Sequence, residues 1–494
     1  MTDASPSALG RFFAKFAVLK GAIPELWIVF AIKIVSIAAY QATNITIVLW
    51  LHSDLGYRDD QALATVAAWS ILMSVVTLLV GSLTDSLGTR RTLFLGTIIC
   101  VFARLVMVLT SVKWMAIGLG LMPLAIGEAL GGPVLVAATR SYSNTKQRSI
   151  SFSMIYVMMN IGFTIGAWLF DRVRRGMGEY GHFDWMGAHF STYRIIFLAS
   201  LILELMMLPL IYGLREGAEM TDEGLKLTPS RWKISNRSYF RSIFQTVRGA
   251  AQETKRLFLT LLRQVGFYRL IAFLVLIAFV KLIYKQMDYV YPIFGVRELG
   301  PGAPIGILWG MNSFLIIILV PIIGALTQKY SAYSMVILGA IITSASIFIM
   351  AMPPAWFEPM ANGAFGNLVG HLYLGLKGAV HPYYVMITLF VIMLSIGEAF
   401  YSPRVYEYAA AIAPKGQETS YSALSYVPLL LAKIMIGIFS GKSLMKYCPE
   451  TGPRHSETLW LIVAVSSVVA PIGLITLRRF IQVAEEGRDS KAGV

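Results

Sequence analysis

Twelve stretches of this 494-residue chain are apolar over about 20 residues each, the length a helix needs to cross the roughly 30 Å hydrocarbon core of a bilayer. They lie near 24–51, 61–84, 92–111, 114–138, 150–170, 192–213, 266–290, 304–328, 332–352, 381–402, 418–441 and 457–477. In lipid every backbone N–H and C=O must find a partner inside the protein, which only helices and closed barrels achieve. These runs are too long and too evenly apolar for barrel strands. The expected fold is an all-α membrane protein of twelve transmembrane helices. Composition agrees, with 56% hydrophobic and 14% charged residues, too little charge to cover a water-facing surface. The two cysteines, Cys100 and Cys448, exclude a disulfide scaffold.

A net charge of +15 on a soluble protein would raise the question of nucleic acid. Here Lys and Arg flank the spans and read as topology signals and headgroup contacts, so membrane lipid is an expected partner and nucleic acid is not. With both termini inside, the inner segments carry more than twice the basic residues of the outer ones; Arg172, Arg174 and Arg175 run against the trend. The N-terminal stretch lacks the short apolar core and cleavage site of a signal peptide, so the first span is expected to stay in place. The expected location is a plasma or bacterial inner membrane, with cytoplasmic termini. No G-x-S-x-G, H-E-x-x-H, C-x-x-C or Walker sequence occurs, and the six histidines fall in predicted outer loops. No enzyme activity, catalytic residue, metal or cofactor is expected.

The two halves resemble each other. Gly81-Ser82-Leu83-Thr84 after span 2 matches Gly324-Ala325-Leu326-Thr327 after span 8 at an offset of 243; Ile126-Gly127-Glu128-Ala129 with Pro133 matches Ile396-Gly397-Glu398-Ala399 with Pro403 at an offset of 270. The outer loop 353–380 accounts for the difference. The predicted organisation is an N-terminal six-helix bundle (1–213), a cytoplasmic linker (214–265), a C-terminal six-helix bundle (266–478) and a cytoplasmic tail (479–494). Within the linker, Phe240, Phe244, Val247, Ala251, Phe258 and Leu261 recur at helical spacing opposite Arg241, Arg248, Lys255 and Arg256. That pattern predicts an amphipathic helix on the inner membrane surface, the alternative being a solvated hinge.

The loop Gly81-x-Leu83-Thr84-Asp85-x-x-Gly88-x-Arg90-Arg91 resembles the signature loop of the major facilitator superfamily, a family of secondary transporters. The resemblance implies two pseudo-symmetric six-helix bundles and a gating role for Gly81, Asp85, Gly88, Arg90 and Arg91. Gln328, Ser331 and Tyr333 stand at the matching places in the second half. A narrower likeness covers spans 1, 4, 5, 10 and 11. Gly397-Glu398-x-x-x-Ser402-Pro403-x-x-x-Glu407-Tyr408 is similar to helix 10 of the proton-coupled oligopeptide transporters, and Tyr156-x-x-x-Asn160-Ile161-Gly162 to their helix 5. This implies that Glu398 engages a peptide amino group or its coupled lysine, and that Asn160 contacts substrate. The family's helix 1 E-x-x-E-R falls on Lys33-x-x-Ser36-Ile37, and its helix 4 Lys-Pro on Gly132-Pro133, so the scaffold carries over better than the chemistry.

A charge at mid-bilayer is expensive unless it is paired or faces a wet cavity, so each is a functional candidate. Lys33 and Glu128 suggest a charge-swapped link between spans 1 and 4; the alternative is that Lys33 snorkels toward the inner headgroups. Lys281, Tyr284, Lys285 and Asp288 share one stripe of span 7, where Lys285 and Asp288 can neutralise each other and leave Lys281 for an anionic substrate group. A structural salt bridge near the outer end is the other reading of that stripe. The expected substrate-binding set is Lys33, Tyr40, Glu128, Asn160, Lys281, Tyr284, Lys285, Glu398 and Tyr401, with proton coupling on Glu398 and Glu128. Arg104 and Glu204 are expected to be stabilising charges with partners. The predicted function is secondary active transport of a small polar, anionic or zwitterionic, peptide- or amino-acid-like solute by a monomer, with protons as a candidate coupling ion. Export or flipping of amphiphilic drugs or lipids on the same fold is the alternative.

Overall fold

The computed structural model describes residues 17–185, 187–227, 248–249, 262, 264–327, 330–412 and 427–482; the side chains of residues 17, 78, 79, 81, 82, 85, 86, 149, 325, 406, 407 and 409–412 lie outside that description. Twelve described helices are long and apolar enough to cross a membrane. They are α1 Pro24–Ser53, α2 Asp59–Leu87, α3 Thr89–Leu109, α4 Lys113–Ser141, α5 Thr145–Met177, α6 Thr192–Tyr212, α7 Val265–Tyr289, α8 Ile305–Leu326, α9 Ala332–Ala351, α10 Pro382–Ile412, α11 Val427–Tyr447 and α12 Ser456–Thr476. Over the described residues the predicted spans coincide with these, differing mainly where charged ends extend a helix beyond its apolar run, as in α2 and α5; residues 418–426 of the predicted eleventh span lie outside the described residues.

Local chemistry sets several boundaries. Gly88, at φ 86°, is the lone residue between α2 and α3, a conformation that costs a residue without Cβ little. Pro292 opens a separate short helix, Tyr291–Leu299, directly after α7, and Gly300 at φ 91° ends it. Two antiparallel hairpins have no counterpart in the expected layout: β1 His182–Trp185 with β2 Ala188–Ser191, and β3 Ala218–Thr221 with β4 Gly224–Leu227. The second occupies the start of the predicted linker and turns through Asp222-Glu223-Gly224; Asp222 Oδ1 accepts the Thr145 N–H at 3.0 Å. The predicted amphipathic helix lies outside the described residues apart from Arg248 and Gly249, as does the tail beyond Gln482.

The chain forms two compact units that do not follow its midpoint. Unit 1 comprises 1–41, 72–166 and 197–254, and unit 2 comprises 42–71, 167–196 and 255–494. The core of unit 1 packs Leu26, Val29 and Phe30 of α1, Val80 and Leu87 of α2, Leu93 of α3, Leu130 and Val134 of α4, Ile155 of α5, and Met207 and Ile211 of α6. Unit 2 holds an aromatic cluster in which the rings of Phe273 (α7), Tyr333 (α9) and Tyr408 (α10) pack at tilted angles with centroids 4.8–6.4 Å apart. The two tyrosine hydroxyls are satisfied by the Leu474 and Ile481 carbonyls at 2.6 and 2.8 Å.

Each unit contains one very close crossing made by the repeated Ile-Gly-Glu-Ala motif. In unit 1 a Cβ on Gly127 of α4 would lie 2.8 Å from the Gly96 carbonyl of α3; in unit 2 a Cβ on Gly397 of α10 would lie 3.0 Å from the Gly339 carbonyl of α9. Gly96 and Gly339 are themselves 243 residues apart, the offset of the loop match. The repeat is therefore a repeat of helix contacts: backbone touches backbone twice, and the residue after each crossing glycine is a glutamate.

Candidate functional site

In unit 1, Lys33 is 7% exposed, and its ammonium has no hydrogen bond or ion pair among the described residues. Gly162 of α5 packs on the neighbouring Ile34 carbonyl, where a Cβ would come within 2.7 Å, so α5 runs tightly against this part of α1. Asn160, buried just before that contact, spends its amide on its own helix, donating to the Tyr156 carbonyl at 2.9 Å. Tyr40 is half-buried further along α1.

The predicted Lys33–Glu128 link is not formed. Glu128 accepts from Arg104 Nη2 at 2.5 Å, and the same guanidinium donates through Nη1 to Glu204 at 3.0 Å. The reason is the Gly96–Gly127 crossing, which brings α3 against α4 beside the residue that follows the glycine. Arg104 and Glu204 have the partners their burial demands, and one of those partners is the acid assigned to Lys33.

The arginines of the signature loop act within unit 1. Arg91 Nε lies 3.0 Å from Glu216, and the Arg90 guanidinium stacks on the Tyr212 ring at 4.8 Å. Gly88 faces the same Glu216 carboxylate. Gly81 and Asp85 lie on α2 but outside the residues whose side chains are described. Beside this corner, Glu25 at the start of α1 pairs with Arg215 after α6, with Nη2 at 3.0 Å.

In unit 2 the span 7 stripe is laid out as its spacing suggests. Lys285 pairs with Asp288 at 2.5 Å, and Asp288 also accepts the Trp309 indole N–H at 3.1 Å. Lys281 is left without an ion pair among the described residues; its ammonium sits 4.9 Å from the Tyr284 ring centroid and 4.8 Å from that of Tyr401. Two π faces offer such a cation attraction without neutralising it. Glu398 is close enough to act electrostatically on Lys281 and Tyr284, and it accepts from Asn312 Nδ2 at 3.1 Å. Asn312 donates also to Ser395 at 3.0 Å. The structure thus gathers Lys281, Tyr284, Glu398 and Tyr401 into one cluster and adds Asn312, which has no charge to mark it in sequence.

A second network in unit 2 joins loop ends. Arg297 grips Asp59 with both nitrogens, at 2.8 and 3.0 Å, and donates to the Cys448 carbonyl at 2.7 Å. Arg174 is fully buried; it pairs with Asp171 at 3.2 Å and with Glu179, and donates to the Ala303 carbonyl at 3.0 Å. Asp171 in turn accepts the Gly306 and Ile307 N–H groups at 3.1 and 2.6 Å, a carboxylate seated on the N-terminus of α8. The exceptional arginine cluster is explained for Arg174: it is an internal counter-ion and carries no topology signal.

The sequence profile of the Major Facilitator Superfamily matches residues 29–370. The chain belongs to the major facilitator superfamily. This facilitator protein is a multi-pass membrane transporter, and its family is one of transporters and not of enzymes. Among curated proteins, none matches it. Its fold is that of a peptide transporter of the POT family crystallised with sulfate, 16% identical over 92% of this chain and 94% of that one with a TM-score of 0.65. A POT family transporter in complex with 5-aminolevulinic acid is 14% identical over 92% and 96%, with a TM-score of 0.66. A bacterial homologue of the human drug peptide transporters is 16% identical over 92% and 98%, with a TM-score of 0.62.

Proposed function

We propose that this transporter carries a small anionic or zwitterionic, amino-acid- or peptide-like solute by alternating access, with protons as the coupling ion. The observation that carries the reading is Lys281: a cation inside a membrane-spanning helix, held against two tyrosine rings with no ion pair among the described residues, and within electrostatic reach of the Glu398 carboxylate. A substrate carboxylate or phosphate takes Lys281, and a substrate amine takes Glu398, whose second role is to bind and release the coupled proton. Asn312 orients that carboxylate. Within unit 1, Lys33, buried without a partner among the described residues, is a candidate anchor for a negative group, with Tyr40 on the same helix and Asn160 just before the Gly162–Ile34 contact; Lys285 is occupied by Asp288 and holds the shape of α7. That solved relatives in fold hold sulfate in one case and 5-aminolevulinic acid in another agrees with this chemistry.

With cytoplasmic termini, the Asp59–Arg297 pair and the Asp171–Arg174–Glu179 group lie at the outer ends of the helices. The Asp59–Arg297 pair, and the bonds from Asp171, Arg174 and Glu179 to residues 302–307 at the start of α8, act as the outer latch, which breaks when the outer end opens and re-forms when it closes. The test is a thermal-shift screen of dipeptides, amino acids, sugar phosphates and nucleosides on the purified protein, followed by uptake of any stabilising compound into proteoliposomes with and without an imposed pH gradient. The expected outcome is an acidic or zwitterionic ligand whose uptake is driven by the gradient and abolished by Lys281→Ala. Uptake indifferent to that substitution counts against the reading.

A further inference from the structure

The Arg104 cluster of unit 1 has more acid than base. Arg104 on α3 is fully buried and donates to two carboxylates, Glu128 of α4 at 2.5 Å and Glu204 of α6 at 3.0 Å, which are themselves 13% and 5% exposed. Oxygen atoms of the two acids and the thiol sulfur of Cys100 lie within 4.8 Å of one another. Among the described residues Arg104 is the one cation that acts on either acid, and Cys100 is the one other titratable group facing them. With both acids ionised the group carries a net charge of −1 with no further counter-charge among the described residues, inside helices that cross a membrane. Burying an uncompensated charge is far costlier than binding a proton to remove it, and two carboxylates sharing one site take up a proton between them for that reason.

We infer that Arg104, Glu128 and Glu204 form a one-proton binding site, in which a single proton is shared by the two acids across a fixed guanidinium. The arrangement suits a proton better than a divalent cation, because the guanidinium already neutralises one of the two carboxylates and leaves a single unit of charge to be met, and its own positive charge repels a second cation. The proton resides on whichever acid is momentarily less well bonded to Arg104; its departure leaves the pair charged, and its return restores neutrality. Among the described residues, nothing in the second half duplicates this. The residue 243 positions after Arg104 is Ile347, and Glu398, the counterpart of Glu128, is bonded to the Asn312 amide instead. The inference deepens the proton-coupling part of the proposed function, but its test counts bound protons without any transported solute, so the two fail separately.

The experiment is infrared spectroscopy of the full chain in lipid across neutral pH, reading the carbonyl stretch of protonated carboxylic acids. The native protein is expected to show an acid band that disappears in both Glu128→Gln and Glu204→Gln, since in each variant one carboxylate faces one guanidinium and needs no proton. Loss from both single variants of what is only one proton is the signature of sharing, and a merely structural ion pair does not give it. An acid band unchanged in both variants overturns the proposal. Should either variant fail to fold, the native protein is treated with a hydrophobic carbodiimide, which reacts with protonated buried carboxyls. Mass spectrometry is expected to place the adduct on Glu128 or Glu204, and a native protein modified at neither refutes the site.

Discussion

Removing the Arg174 guanidinium gives a quantitative test of how the buried Asp171–Arg174–Glu179 group is held together. Arg174 is fully buried and faces two acids, Asp171 and Glu179, each 1% exposed at its side chain. Breaking a buried ion pair by deleting one partner costs about 3–5 kcal/mol, because the charge left behind is uncompensated, whereas replacing every member with neutral groups is close to neutral. Arg174→Met leaves two acids stranded and also loses the bond to the Ala303 carbonyl, so a loss at the upper end, about 5 kcal/mol, is expected. The triple variant Arg174→Met, Asp171→Asn, Glu179→Gln removes the charges together. The amide introduced at position 171 keeps an oxygen for one of the two α8 N–H groups. The amide at position 179 keeps one for the Gly302 N–H or the Tyr193 hydroxyl, which now bond Glu179 at 2.9 and 2.6 Å. The triple variant should regain more than half of the loss. The assay is the thermal unfolding midpoint of the purified full chain in detergent, followed by tryptophan fluorescence. A triple variant as unstable as the single one refutes the reasoning, because the damage then comes from lost packing and not from stranded charge.

Three further outcomes follow from the geometry. Lys281→Ala should abolish uptake of an acidic solute while Lys281→Arg retains a measurable part, since a guanidinium also stacks on the Tyr284 and Tyr401 rings; equal loss in both removes charge as the reason. Gly397→Ala should lower the unfolding midpoint by the equivalent of roughly 1–3 kcal/mol, its methyl lying 2.8 Å from the Thr343 backbone N, while Gly131→Ala, with nothing within 4 Å, should raise it slightly. Burial pushes the Glu179 carboxyl up, but bonds from Arg174, Tyr193 and Gly302 outweigh it and hold the group below its ordinary value of 4.5. Its folded form is therefore the weaker proton binder, so it contributes stability above that value and loses it as the pH falls. Glu179→Gln should flatten the acid side of a plot of unfolding midpoint against pH, and an unchanged slope contradicts this.

What the sequence reveals here depends on how far apart the interacting residues lie. The twelve spans are legible because lipid exposure is a property each segment carries alone. The Lys285–Asp288 pair is legible because both members sit three residues apart on one helix. The Arg104 cluster is not, since its members are 24 and 100 residues apart and no local pattern ties them. Pairing Glu128 with Lys33 transposes a family motif, whereas the deciding feature is a glycine contact between α3 and α4. Asp171 on the end of α8 is equally hidden, 135 residues from the Gly306 N–H it accepts. Asn312 escapes notice because an uncharged amide in an apolar run gives no signal until its acid neighbour is known.

The paired glycine crossings have one more consequence. Each anchors an acid to the scaffold through main-chain contact, so the position of Glu128 or Glu398 does not depend on which side chain faces it. The same mount is fitted with an arginine in one copy and an amide in the other. A duplicated ancestor could thus retune the acidity of either seat by a single exchange on a neighbouring helix, with the frame left standing, and a protein engineer can do the same.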